Sequence, residues 1–225
     1  MSTTPSVPAT SSDTEDLPTL TIADLACRRG NRVLFRGVNL TLRARQAVWL
    51  RGRNGRGKTS LLRLAAGLSV PESGNVLWGD APVRRAEGFL QRLLYIGHSN
   101  ALKDDLTALE ALQFLARLHG RADDDASLRA ALERLGMASR RDAPVRTLSQ
   151  GQRRRVALAR LALERAPALW VLDEPYDALD VDGLQVVNEL LRAHLARGGS
   201  VLLTSHQHPG ADAPAVAEFD LDPFS

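Results

Sequence analysis

Hydrophobic positions along this chain change their period twice, and the changes divide it into layers. From Leu20 to Cys27 and from Val33 to Leu42, short apolar stretches of β-type pattern flank Arg29-Gly30-Asn31. They predict two antiparallel strands joined by a turn. Ala47-Val48-Trp49-Leu50 predicts a buried strand, and Ser60 to Ala66 a helix that stops at Gly67. Pro71-Glu72-Ser73-Gly74 then reads as a turn ahead of strands at Val76-Leu77-Trp78 and Leu93-Leu94-Tyr95-Ile96. Between about Asn100 and Ala166 the period becomes helical, through Leu106, Leu109, Leu112, Phe114, Leu115 and Leu118, then Leu128, Ala131, Leu132 and Leu135. Asp123-Asp124-Asp125 between them reads as a solvated loop and helix start. Ala168 to Leu172 is a continuous apolar run, the pattern of a strand inside a parallel sheet. A helix over Leu184 to Leu195, a strand over Ser200 to Thr204 and a last strand near Val216 to Leu221 complete the series.

Composition narrows the class of protein. The 225 residues suit one large α/β domain or two small ones, and residues 1–17, rich in Ser, Thr and Pro, read as a disordered tail. Net charge is +3, too weak a bias to point to nucleic acid. A single cysteine, Cys27, excludes an internal disulfide and is expected to be a small buried residue in a reducing compartment. No apolar run approaches the ~18 residues that span a bilayer. The first residues lack the basic and apolar regions of a signal peptide. The expectation is a cytosolic chain whose membrane role, if any, comes through a partner.

Three stretches carry candidate chemistry. Gly52-Arg53-Asn54-Gly55-Arg56-Gly57-Lys58-Thr59, followed by Ser60, matches the phosphate-binding loop G-x-x-x-x-G-K-[ST]. Glycines let the backbone turn its N–H groups toward phosphate, and the following helix aims its positive end there. Lys58 is expected at the β/γ-phosphates and the Thr59 hydroxyl on Mg²⁺. Only Lys58 and Lys103 of the 29 basic residues are lysine, so a chain that favours arginine keeps a slim point charge at this position. Leu172-Asp173-Glu174-Pro175 closes the apolar strand and puts two carboxylates at the carboxyl end of a parallel sheet. Asp173 suits a magnesium site, and Glu174 suits a base for attacking water. Leu148-Ser149-Gln150-Gly151-Gln152 precedes a helix over Arg153 to Glu164 and offers a second anion-facing helix start.

Leu148 to Gln152 is similar to the signature of ABC-type ATPases, and the other two stretches resemble their Walker A and Walker B motifs. Ala178-Leu179-Asp180 resembles the D-loop, Thr204-Ser205-His206 the switch-histidine strand end, and Gly97-His98 falls at the Q-loop. The resemblance implies an α/β P-loop NTPase fold of ABC type over residues 18–225. Such a fold has a mainly parallel core sheet, an antiparallel β subdomain and a helical subdomain at about 100–166. It also implies a head-to-tail homodimer with ATP held between Lys58 of one copy and Ser149, Gly151, Gln152 and Asp180 of the other. Mg²⁺ would sit on Thr59 and Asp173, Glu174 would act as base and His206 would contact the γ-phosphate.

Two positions depart from that family's pattern: His98 replaces glutamine, and Cys27-Arg28-Arg29 stands where an aromatic residue stacks on adenine. An arginine plane can also stack on a base. Ile96-Gly97-His98, Leu102-Lys103, Leu106 to Glu110, Asp180 to Gly183 and Ser205-His206-Gln207 resemble the ATP-binding subunits that serve cytochrome c maturation. That resemblance implies integral-membrane permease partners, a place on the cytoplasmic face of the inner membrane, and haem export or release of a haem chaperone as output. A different cargo, or a soluble ABC ATPase acting on nucleic acid or ribosomes, are the rival readings. His119, His194 and His208 are expected on the surface, and Arg153-Arg154-Arg155 on a solvated helix face.

Overall fold

Nine strands form two sheets in a computed structural model that describes residues 17–207, 210 and 212–224. The antiparallel sheet, in order β2-β1-β4-β5, comprises β1 (Leu20–Arg29), β2 (Arg32–Leu42), β4 (Ser73–Trp78) and β5 (Ala81–Pro82). The parallel sheet, in order β6-β7-β8-β3-β9, comprises β3 (Ala47–Arg51), β6 (Leu93–Ile96), β7 (Leu169–Leu172), β8 (Ser200–Thr204) and β9 (Ala217–Asp220). The turn at Gly30 and the β1/β2 register, with Cys27 opposite Phe35, follow the antiparallel expectation. Cys27 is buried.

The continuous apolar runs have a physical cause, because both faces of the parallel sheet are covered. Leu169 and Val171 of β7 and Val48 and Leu50 of β3 point to a core shared with the antiparallel sheet and α1 (Lys58–Ala65). Their neighbours Trp170, Leu172, Ala47 and Trp49 point to a second core. That core is closed by α2 (Ala108–Leu118), α3 (Asp125–Arg134), α4 (Gln150–Leu163) and α5 (Val181–Ala196). Capping sets where these helices begin. Thr107 and Glu110 form a capping box on α2, Asp124 accepts from Ser127 N at 2.9 Å on α3, and Asp180 accepts from Gly183 N at 2.9 Å on α5. The helical layer is fastened to the β6 edge by Arg121, which pairs with Glu164 at 2.8 Å and donates to Gln91 O at 2.9 Å.

Several residues sit differently from the sequence expectation. His194 is fully buried, its ring stacked on Trp170 with centroids 3.7 Å apart. A histidine in the last turn of α5 reads as a solvated helix end, but the ring folds under the helix onto the sheet. His119 is half-buried. Arg154 is only 3% exposed and Arg160 only 6%, so α4 presents arginines inward, because nearly all of its circumference is covered. Of the expected N-terminal tail, residues 1–16 lie outside the described residues, and its last residue, Leu17, is buried in the first core. His208 also lies outside them.

Candidate functional site

The phosphate loop links β3 to α1, and three of its glycines hold positive φ: Gly52 at 135°, Gly55 at 78° and Gly57 at 100°. Gly57 carries the strictest demand. A Cβ there would meet Leu34 Cβ and Phe35 Cδ1, both at 3.0 Å, so the loop is pressed against β2. No side chain caps α1, which leaves its first N–H groups directed at the loop's cavity. Lys58 Nζ crosses the loop and donates to Gly52 O at 2.6 Å and to Arg53 O at 3.4 Å. Asp222 fastens the loop's outer side, accepting from Arg53 N at 3.0 Å and lying 3.5 Å from Arg56 Nε.

Across the cavity, β7 ends in Asp173 and Glu174. Asp173 is 2% exposed, and its two carboxylate oxygens accept from Thr59 Oγ1 at 2.9 Å and Thr204 Oγ1 at 2.8 Å. The Thr204 hydroxyl in turn accepts from Glu174 N at 3.0 Å, so the end of β8 sets the turn that follows β7. Glu174 Oε2 accepts from His206 N at 2.7 Å, and the His206 ring nitrogen Nε2 lies 3.5 Å from Glu174 Oε1. Glu174 at φ 52° and Ala178 at φ 58° occupy the left-handed region without being glycine. Such backbone costs of order 1–3 kcal/mol per residue and persists where surrounding contacts enforce it.

These groups enclose a cavity of about 440 Å³ lined by Asn54, Gly55, Gly57, Lys58, Thr59, Ser60, His98, Asp173, Glu174 and His206, with Arg29 and Leu34 also in its wall. Gly52 and Arg53 line an adjoining cavity that shares Lys58 and His206. Ser149, Gly151, Gln152 and Asp180 line a different cavity, of about 720 Å³, with no residue in common with the first. There Ser149 caps α4 in a capping box with Gln152, and Asp180 pairs with Arg155. The backbone N–H of Gly183 and the Arg155 guanidinium hold the Asp180 carboxyl below its ordinary range. The phosphate-loop cavity and the cavity at the α4 start thus lie on one chain without sharing a residue.

Thr59 Oγ1 and Asp173 Oδ2 are a hydroxyl and a carboxylate oxygen at the cavity floor, the donor types a hard divalent cation takes. Among the described residues no group of three or more His, Cys, Asp or Glu could hold a metal ion. Mg²⁺ fits such a site, since it is commonly held by one or two protein oxygens together with substrate phosphates.

Sequence reasoning missed Arg154 and Asp222 as parts of this arrangement, and it placed Thr204 at the switch-histidine strand end without its bonds to Asp173 and Glu174. A partial signal for Arg154 was present: from Val156 to Leu163 α4 is apolar except at Arg160, the pattern of a helix covered on all sides, and such a helix must pair any charge it carries. Beyond the phosphate-loop cavity, a groove of about 940 Å³ runs past Tyr95, His98, Leu115, Leu118 and Arg160. Leu90 and Leu118 along it are 70% and 66% exposed.

A P-loop between parallel strands, paired carboxylates across it and a second capped helix start define an ATP-binding protein of the ABC class. The family model for the ABC transporter matches residues 35–177, and the chain belongs to that family. It is an ATPase, and it resembles the cytochrome c biogenesis ATP-binding export proteins CcmA. It is 50% identical over 190 residues to that of Salmonella typhi, covering 84% of this chain and 90% of the relative. To that of Albidiferax ferrireducens it is 46% identical over 192 residues, covering 85% and 91%. A solved ABC transporter ATP-binding protein of Pyrococcus furiosus shares the fold at TM-score 0.75 and 22% identity, covering 92% of this chain and 99% of that one. No helix among the described residues is long and apolar enough to cross a membrane.

Proposed function

We propose that the chain is the ATP-hydrolysing subunit of an ABC complex on the cytoplasmic face of the inner membrane, powering haem export or haem-chaperone release for cytochrome c maturation. The observation that carries this reading is the likeness to the CcmA export proteins over most of both chains. Integral-membrane permease subunits are the partners. The groove with exposed Leu90 and Leu118, beside α2 and the His98 loop, is consistent with a contact that senses the nucleotide cavity.

The nucleotide reading is concrete. The α1 N–H groups and the backbone of residues 52–60 bind the triphosphate, and Lys58 exchanges its loop carbonyls for β/γ-phosphate oxygens. Thr59 and Asp173 would hold Mg²⁺, which would supply neutralisation of the phosphate charge. Glu174 accepts the proton of the attacking water. His206 stands beside Glu174 to contact the γ-phosphate, and His98 faces the same cavity from the β6 loop. Because Ser149, Gly151, Gln152 and Asp180 lie on a separate surface, a second copy in head-to-tail arrangement supplies them. ATP joins the copies, and hydrolysis parts them.

Affinity purification of the full chain from solubilised native membranes tests the reading. Recovery of an integral-membrane subunit together with a haem-handling protein is expected. A permease recovered with unrelated cargo proteins would refute the haem assignment and leave the ATPase intact.

A further inference from the structure

One guanidinium outside both cavities touches three segments of the machinery. Arg154 lies in the first turns of α4, just after the helix start that carries Ser149 and Gly151. Its Nη2 donates to Asp173 O at 2.7 Å and to Glu174 O at 2.7 Å. Its Nη1 donates to Gly97 O at 3.0 Å and to Asn100 Oδ1 at 3.1 Å. The loop beyond β7, the His98 loop beyond β6 and the start of α4 are therefore joined through one planar group. Two neighbouring contacts lock α4 to the same loop. Gly151 approaches Ala178 so closely that a Cβ would lie 2.5 Å from Ala178 O, and Arg155 pairs with Asp180 while donating to Leu135 O at 2.7 Å.

We propose that Arg154 is a positioning residue for hydrolysis, holding the Asp173 and Glu174 carbonyls, and through them the Glu174 carboxylate, in fixed relation to Ser149, Gly151 and the His98 loop. Engagement of a second copy at the α4 start is then felt where the attacking water sits. The inference rests on the reading of Glu174 as base.

The chemistry favours arginine over any other residue here. Four acceptors lie around a flat fork, and charge-assisted bonds to them offset the cost of burying the cation. Burial lowers the Arg154 pKa from its ordinary value, and the carboxylates of Asp177, Asp173 and Glu174 partly oppose that shift. A lysine would bring one ammonium point to the same space and could not serve both loops in their present directions. The Glu174 residue is held at three points, its carbonyl by Arg154, its carboxylate by His206 N and its own N–H by Thr204 Oγ1, which keeps its positive-φ backbone in place.

The test is single-turnover hydrolysis of Mg-ATP by the full chain, with affinity for a fluorescent ATP analogue and melting temperature measured alongside. Arg154→Lys and Arg154→Met are expected to bind nucleotide within about threefold of the parent and to hydrolyse it roughly 100-fold more slowly, the scale of a 1 Å misplacement. Asn100→Ala, which removes one of the four acceptors and leaves the cation in place, should slow hydrolysis severalfold at unchanged affinity and carries the test if the Arg154 variants do not fold. Parental hydrolysis in a folded variant would overturn the proposal. So would affinity, rate and melting temperature falling together, the mark of a purely structural role. Glu174→Gln separates the two readings: if it hydrolyses at the parental rate the base assignment fails, whereas a silent Glu174→Gln beside an unslowed Arg154→Lys refutes Arg154 alone.

Discussion

Acidification from pH 7 to pH 5 is expected to weaken the fold by about 2 kcal/mol through one side chain, His194. The imidazole is fully buried, stacked on Trp170 at an interplanar angle of 7°, with Nε2 2.8 Å from Ala168 O. Donation from Nε2 leaves Nδ1 as the bare nitrogen, and it has no hydrogen-bond partner. A second proton would therefore create a buried cation with an unmet N–H. Burial is the main cause that pushes the pKa from 6.5 down to about 4, and Arg197 acts in the same direction against the Ala168 and Ser200 backbone groups.

The unfolded chain takes up a proton near pH 6.5 while the native chain resists until about pH 4, so the unfolded state holds more protons across that interval. Stability from neutral His194 is complete above about 6.5, declines as pH falls, and its loss is finished below about 4. The full gap corresponds to about 3 kcal/mol, most of it spent by pH 5. Urea unfolding of the parent and of His194→Phe at pH 7, 6 and 5 isolates the contribution. Phenylalanine keeps the stack and titrates nothing, and Ala168 O retains its bond from Ser200 N at 3.0 Å. The parent should lose about 2 kcal/mol more than the variant between pH 7 and pH 5. Parallel profiles would refute the reasoning, whatever the variant's stability at pH 7.

Three further outcomes follow from the nucleotide cavity. Lys58→Ala should weaken ATP binding at least tenfold in a titration, since a charge at the phosphates is lost; unchanged affinity would contradict its placement at the phosphates. Glu174→Gln should retain ATP, abolish turnover and stabilise the two-copy complex, which size-exclusion chromatography with ATP would reveal as a dimer. Gly57→Ala should destabilise the fold by about 1–3 kcal/mol and weaken ATP binding together, because φ 100° and the Leu34 and Phe35 contacts both oppose a Cβ. A melting temperature equal to the parent's would show that β2 can give way.

The inner strands are readable because a sheet covered on both faces leaves little room for polar positions within them, as at Leu169 to Leu172, whereas the edge strand β9 is polar and largely exposed. The phosphate loop is readable because three positive-φ positions within six residues demand glycine. Helix starts were less legible: α1 begins at Lys58 rather than Ser60 and α5 at Val181 rather than Leu184, as the loop and Asp180 dictate. The separation of the phosphate-loop cavity from the one at the α4 start cannot be derived from either motif alone, and in the sequence it rests on family resemblance.

His194 and Arg154 were misplaced for a common reason. Periodicity reports which face of a helix is apolar, but a polar side chain can enter that face wherever a remote segment offers an acceptor. The acceptors here are chiefly backbone carbonyls, of Ala168 for His194 and of Gly97, Asp173 and Glu174 for Arg154. Every residue type carries a carbonyl, so such a partner leaves no mark in the amino-acid sequence. The chemistry that faces the nucleotide is written in side chains within short motifs and can be read locally. What joins those motifs is written chiefly in main-chain oxygens, so the joint is open to a mutational test only at Arg154 and at its one side-chain acceptor, Asn100.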